Sequence, residues 1–149
     1  MFVDEVSFRI KAGKGGSGCV SFRREKFIPK GGPDGGDGGD GGNVVLFARR
    51  NLASLVHLTG KNSYNAQNGT AGSGSNRSGK AGEDLIIDVP VGTVCIDMDT
   101  EEILCDLNEQ GTSFVIANGG MGGKGNAHFK SATNQAPRFS QPGMEGEER

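Results

Sequence analysis

Four stretches of this 149-residue chain have a spacing that could do chemistry, and all four are built on glycine. "GKGGSGCV" (13–20) and "GMGGKG" (120–125) fit GxGxxG, the pattern of a phosphate-cradling turn. Such a turn needs a following helix whose N-terminus holds the phosphate. The residues after Val20 carry no amphipathic helical period and run into Pro29-Lys30-Gly31-Gly32. A kinase would also need a strand lysine and two aspartates in set contexts, which are missing. "GSNRSGKA" (74–81) fits GxxxxGK, but Ala81 stands where the magnesium-ligating Ser or Thr belongs, and no apolar strand precedes Gly74. "GGDGGDGGN" (35–43) fits one calcium-binding nonapeptide, with Gly42 in the large aliphatic position and no further copies to stack on. No catalytic, nucleotide-binding or metal-ligating residue is expected from these matches.

Cys19, Cys95 and Cys105 are odd in number and lack CxxC spacing, while His57 and His128 stand alone. This excludes a zinc framework and fits reduced thiols in a cytoplasmic protein. The apolar alternation starts at Phe2, which leaves no room for a signal peptide, and no run reaches transmembrane length. Both histidines are expected to be structural hydrogen-bonders, Cys95 and Cys105 to face the core, and Phe22 and Phe27 to anchor packing.

The elements that must position these residues are strands. Val6, Phe8 and Ile10 alternate with polar neighbours, so a strand is expected within 2–11. "NVVLFARR" (43–50) reads as a second strand, and "NLASLVHL" (51–58) as a short helical turn or another strand. Residues 84–117 read as a meander, with "EDLIIDVPVGTVCID" broken at Pro90 and Gly92, then "EILCDL" and "TSFVIA". No segment offers three turns of helix. The expected fold class is all-β, a barrel or sandwich of about eight short strands in a single domain over 1–149.

Gly contributes 27 residues, mainly within 12–42, 60–82 and 118–146. Asp34, Asp37 and Asp40 recur every third residue between glycine pairs. A polyproline-II helix has three residues per turn, so these side chains share one edge and the other two edges are bare backbone. Bare edges let chains pack closely, whereas a linker would be Gly/Ser-rich without phase. Gly35, Gly36, Gly38, Gly39, Gly41 and Gly42, with Gly119, Gly120, Gly122 and Gly123, are the expected packing glycines. Net charge is only −2, but it is segregated: residues 9–30 carry seven Lys/Arg against Glu25, and 97–109 carry only acids.

Three stretches, "FVDEVSFRIKAGKGGSGCVSFRREKFIPKGGPDGGDGGDGGNV", "GKAGEDLIIDVPVGT" and "NGGMGGKGNAHFKSATNQAPRF", resemble in family order the N-terminal domain of the Obg GTPases. The resemblance implies a bundle of about six left-handed polyproline-II helices standing on an eight-stranded barrel. It implies a following GTP-binding domain, which would bring GTP and Mg2+, while this fragment carries no cofactor of its own. It also implies a role in late assembly of the large ribosomal subunit, linked to guanine-nucleotide and alarmone levels and to growth or stress control. The partners implied are that subunit with its rRNA and the protein's own GTPase domain, with no membrane.

In the family the glycine-rich tips enter the peptidyl-transferase region. The matching positions here lie around Arg24–Asp34, Arg77–Lys80 and Lys124–Arg138. Arg24, Lys26, Lys30, Arg77, Lys80, Lys124, Lys130 and Arg138 are therefore the candidate RNA contacts. With one Tyr and no Trp, no stacking platform is evident, and recognition through shape and phosphate is expected. The Asp34/Asp37/Asp40 edge is expected to face away from RNA or sit near cations. The alternative readings are a stand-alone glycine-rich structural protein and a calcium-binding β-roll.

Overall fold

The computed structural model describes residues 4–23, 31–131 and 133–149. Among these, seven short strands form three small sheets, with two single-turn 3-10 helices at Val56–Leu58 and Asn126–Phe129. The fold is all-β. The strands are β1 (Arg9–Lys11), β2 (Val44–Arg49), β3 (Ser63–Asn65), β4 (Leu85–Pro90), β5 (Thr93–Ile96), β6 (Ile103–Leu107) and β7 (Ser113–Ala117).

β2 is the centre of the largest sheet. Its alternation sends Val44, Leu46 and Ala48 into the core, where each is at most 3% exposed. It pairs parallel with β4 and antiparallel with β7, so Ile87, Val89, Ile116 and Ala117 close over the same apolar layer. β4 ends at Pro90, which cannot donate to a ladder, and Gly92 turns the chain with φ +94°. The strand order departs from a meander: β4 and β7 flank β2, and β5 and β6 form a separate hairpin. Local alternation specifies each strand but not its neighbour, and here β2 offers one edge to β4 and the other to β7. β1 and β3 pair in parallel, so a strand also lies in the polar stretch after residue 60. Three residues carry too little alternation to stand out. Cys95 and Cys105 face each other across the β5–β6 hairpin and pack partly buried against the core.

Six extended segments, here s1 to s6, leave these strands: 12–20, 34–42, 66–73, 77–83, 118–125 and 140–147. Their hydrogen bonds recur every third residue, the period a polyproline-II helix imposes. Gly13, Gly16 and Cys19 of s1 donate to Gly42, Gly39 and Gly36 of s2 at 2.8–2.9 Å. Gly36, Gly39 and Gly42 donate to Ser73, Thr70 and Gln67 of s3. Gly38 and Gly41 donate to Gly123 and Gly120 of s5, and Gly15 and Gly18 to Met144 and Gln141 of s6. Every segment is thus bonded to several others, and s2 lies among s1, s3, s4 and s5.

The glycines make this spacing possible. A Cβ on Gly35, Gly36, Gly38, Gly39, Gly41 or Gly42 would fall inside the radius of a backbone carbonyl oxygen on a neighbouring segment. The same holds for Gly119, Gly120, Gly122 and Gly123. The interior of the bundle is therefore backbone against backbone, with no side chains to fill it.

Candidate nucleic-acid interface

All six segments meet the strands at one end of the bundle. At the other end stand 21–23 and 31–33, which follow s1 and precede s2, the 74–76 turn between s3 and s4, and 126–131 and 133–139 between s5 and s6. These described stretches form the tip. The middle one is a tight turn in which Ser75 and Asn76 adopt φ of 61° and 55°, and Asn76 donates its amide to the Asp34 carbonyl at 2.7 Å. The stretch that imitates a GxxxxGK loop is thus a turn whose Gly79 and Gly82 press on Thr70 and Gln67 carbonyls.

Asn126 ties the tip together. Its side chain is fully buried and makes four hydrogen bonds. Oδ1 accepts from the amides of Ser21 (3.3 Å) and Gly35 (2.8 Å). Nδ2 donates to the carbonyls of Ser21 (3.0 Å) and Pro137 (2.9 Å). One amide group therefore joins Ser21, just past s1, to s2 and to the stretch that follows s5. No motif around Asn126 marks this role in the sequence.

The aspartate edge has a structural function. Asn43, Asp40 and Asp37 present Oδ1 atoms to the amides of Gly119, Gly122 and Gly125 at 2.7–2.8 Å. These side chains thereby add a second third-residue row of bonds to s5, beside the backbone bonds from Gly38 and Gly41. The signal was present in the sequence, since the phase of 34, 37 and 40 continues to Asn43 and matches 119, 122 and 125. Asp37 also holds His128 Nε2 at 2.9 Å and Lys124 Nζ at 3.9 Å. Burial acts to raise its carboxyl, but the Gly125 amide and the His128 imidazole together hold it below the ordinary value. His57 Nε2 meets the Asp88 carbonyl at 2.6 Å.

Of the eight candidate contacts, Arg24, Lys26 and Lys30 lie outside the described residues, as does Phe27. Arg77, Lys130 and Arg138 are exposed and stand at the tip. Arg77 Nε donates to the Gly74 carbonyl at 3.0 Å, which fixes the stem of its side chain along the turn. Lys80 is exposed one three-residue turn nearer the barrel, on the flank of s4. Lys124 sits on the flank of s5, tethered to Asp37. The acids at 97–109 lie in β6 and in the loops on either side of it, at the strand end of the molecule.

The tip also carries aromatic rings that the composition did not announce. Phe129 and Phe139 pack with centroids 4.6 Å apart at 44°, and the Arg138 guanidinium lies 5.5 Å over the Phe22 ring. Residues ten apart, joined only by the fold, leave no local pattern to read.

The structure is a glycine-cored bundle of extended segments on small β-sheets, with the basic side chains of Arg77, Lys130 and Arg138 at its free end. A family model described as GTP1/OBG matches residues 3–149, and this chain belongs to that family. It is 57% identical over 148 residues to "GTPase Obg" of Thermodesulfovibrio yellowstonii, covering 99% of this chain and 44% of that protein. It is 58% identical over 150 residues to "GTPase Obg" of Lawsonia intracellularis, covering 99% and 41%, and 53% identical over 149 residues to that of Clostridium novyi, covering 100% and 35%. The chain spans less than half the length of these relatives.

Proposed function

We propose that this chain is the docking module of an Obg-type GTPase and that it engages the rRNA of the large ribosomal subunit with its tip, during assembly of that subunit in the cytoplasm. GTP and Mg2+ belong, on this reading, to a GTPase domain of the same protein, and docking is linked through it to guanine-nucleotide and alarmone levels and so to growth or stress control. The observation that carries the reading is the polarity of the molecule. Arg77, Lys130 and Arg138 stand at the end of a bundle braced by backbone hydrogen bonds, and the acidic run lies at the opposite, barrel end. A charge distribution of that kind orients the module toward polyphosphate and keeps the barrel away from it. A narrow rigid prong suits an RNA cleft, where shape and phosphate contacts fix position. A β-roll reading has less to support it, because Asp37 and Asp40 are already acceptors for glycine amides.

The test is a titration of purified large ribosomal subunits with the 149-residue chain across salt concentrations. Log affinity is expected to fall linearly with log salt, by roughly 0.7–0.9 per phosphate contacted. Reversing Arg77, Lys130 and Arg138 to Glu together is expected to abolish binding. Reversing Lys61, which lies over the Tyr64 ring beside β3, is expected to have little effect. Equal losses at Lys61 and at the tip would reduce the interaction to diffuse attraction, and absence of wild-type binding at low salt would reject the reading.

A further inference from the structure

The docking reading accounts for the cations of the tip but leaves its aromatic rings unused. Phe139 keeps half of its surface exposed, at 50%, although an adjacent phenyl ring is available to cover it. Phe129, at the end of the 3-10 turn Asn126–Phe129, leans on it at 44° rather than lying flat against it. The backbone that presents the ring is fixed on its N-terminal side. Pro137, two residues earlier, is fully buried, and its carbonyl is held by Asn126 Nδ2 at 2.9 Å. On the other side, Gln141 donates its amide to the Lys124 carbonyl at 2.9 Å. Between these two anchors, Arg138 turns to Phe22 and Phe139 is left toward solvent. Lys130 follows Phe129 directly, and no acid occurs between residues 126 and 140.

We propose that Phe139 is a stacking platform for one unpaired nucleobase of RNA, with Phe129 supporting the ring and with Lys130 and Arg138 meeting the flanking phosphates. This rests on the docking reading and adds a base contact to what is otherwise recognition by charge and shape. Three properties favour a base over a protein side chain. The backbone on both sides of the half-exposed ring is anchored, so stacking costs little ordering. The surrounding charge is cationic, which complements a phosphate chain. Stacking on an aromatic ring tolerates any base, because every base has a π-face, and this suits a tip without a built hydrogen-bonding pocket.

The experiment compares wild type, Phe139→Ala, Phe139→Leu, Phe139→Trp and Lys130→Gln in the same subunit titration, with circular dichroism to confirm folding. Phe139→Ala is expected to weaken binding about tenfold or more, with the slope against log salt unchanged. Phe139→Leu is expected to lose nearly as much, and Phe139→Trp to bind as tightly as wild type. Lys130→Gln should instead reduce the salt slope by about one unit. Wild-type binding that is unaltered in Phe139→Ala overturns the stacking proposal and leaves the docking reading intact. Full retention in Phe139→Leu overturns it as well, since an aliphatic contact would then suffice. A wild-type chain that fails to bind overturns both.

Discussion

Gly38→Ala is expected to cost the fold about 3 kcal/mol or more, at the upper end of what overpacking a core does. The added methyl would fall inside the radius of the Gly16 carbonyl oxygen, which belongs to s1. Neither side of this clash can yield cheaply. Gly16 donates its amide to Gly39 at 2.8 Å, and Gly38 donates to Gly123 at 2.9 Å, so moving one segment strains bonds to two others. No side chain is present to change rotamer. Against a typical total of 5–15 kcal/mol, the loss should lower the melting temperature by roughly 10 °C. Gly32→Ala is the control, because among the described residues a Cβ there meets nothing nearer than Lys130 Nζ at 3.7 Å. It should change stability by at most about 0.5 kcal/mol. Equal melting temperatures for the two variants would mean that the segments are not packed as described.

The second large effect is expected at Asn126. Replacing it with Leu keeps the branching and heavy-atom count of the side chain but adds bulk and removes all four hydrogen bonds from a fully buried position. The Ser21 and Gly35 amides and the Ser21 and Pro137 carbonyls would then lose their side-chain partner. Buried polar groups left unsatisfied cost about 1–3 kcal/mol each, and relaxation at the tip would recover part of the sum. The expected net loss is roughly 3–5 kcal/mol by thermal or urea unfolding. Protection of the Gly35 amide from hydrogen exchange should fall more than that of Leu46 in the central strand, since the break is local to the tip. A variant as stable as wild type would show that the three segments are held at the tip by something other than this amide.

The strands were legible as short apolar runs between turn residues. Val44 to Ala48 form a continuous apolar run bounded by Asn43 and Arg49, and Pro90 and Gly92 mark where β4 and β5 part. What alternation cannot carry is which strands become neighbours, so the parallel pairing of β2 with β4 was missed. The period of three in the glycine tract pointed to close-packed extended segments. The same period, followed to Asn43, would have shown that the aspartates serve as acceptors for the s5 amides instead of forming a repelling edge. The site was legible as charge and illegible as shape. Lys130 and Arg138 stand out as basic residues, but Asn126, Phe129 and Phe139 acquire meaning only when 21, 35 and 137 are brought together.

The central claim is that the tip, and not the barrel, faces RNA. A cryo-EM reconstruction of the 149-residue chain bound to large ribosomal subunits measures this most directly. The expected map places the 74–76 turn and the 126–139 loop inside an rRNA cleft, with Arg77, Lys130 and Arg138 within reach of phosphates and the β5–β6 hairpin pointing to solvent. A map in which the β5–β6 hairpin or the outer face of β2 meets the subunit while the tip stays in solvent would contradict it.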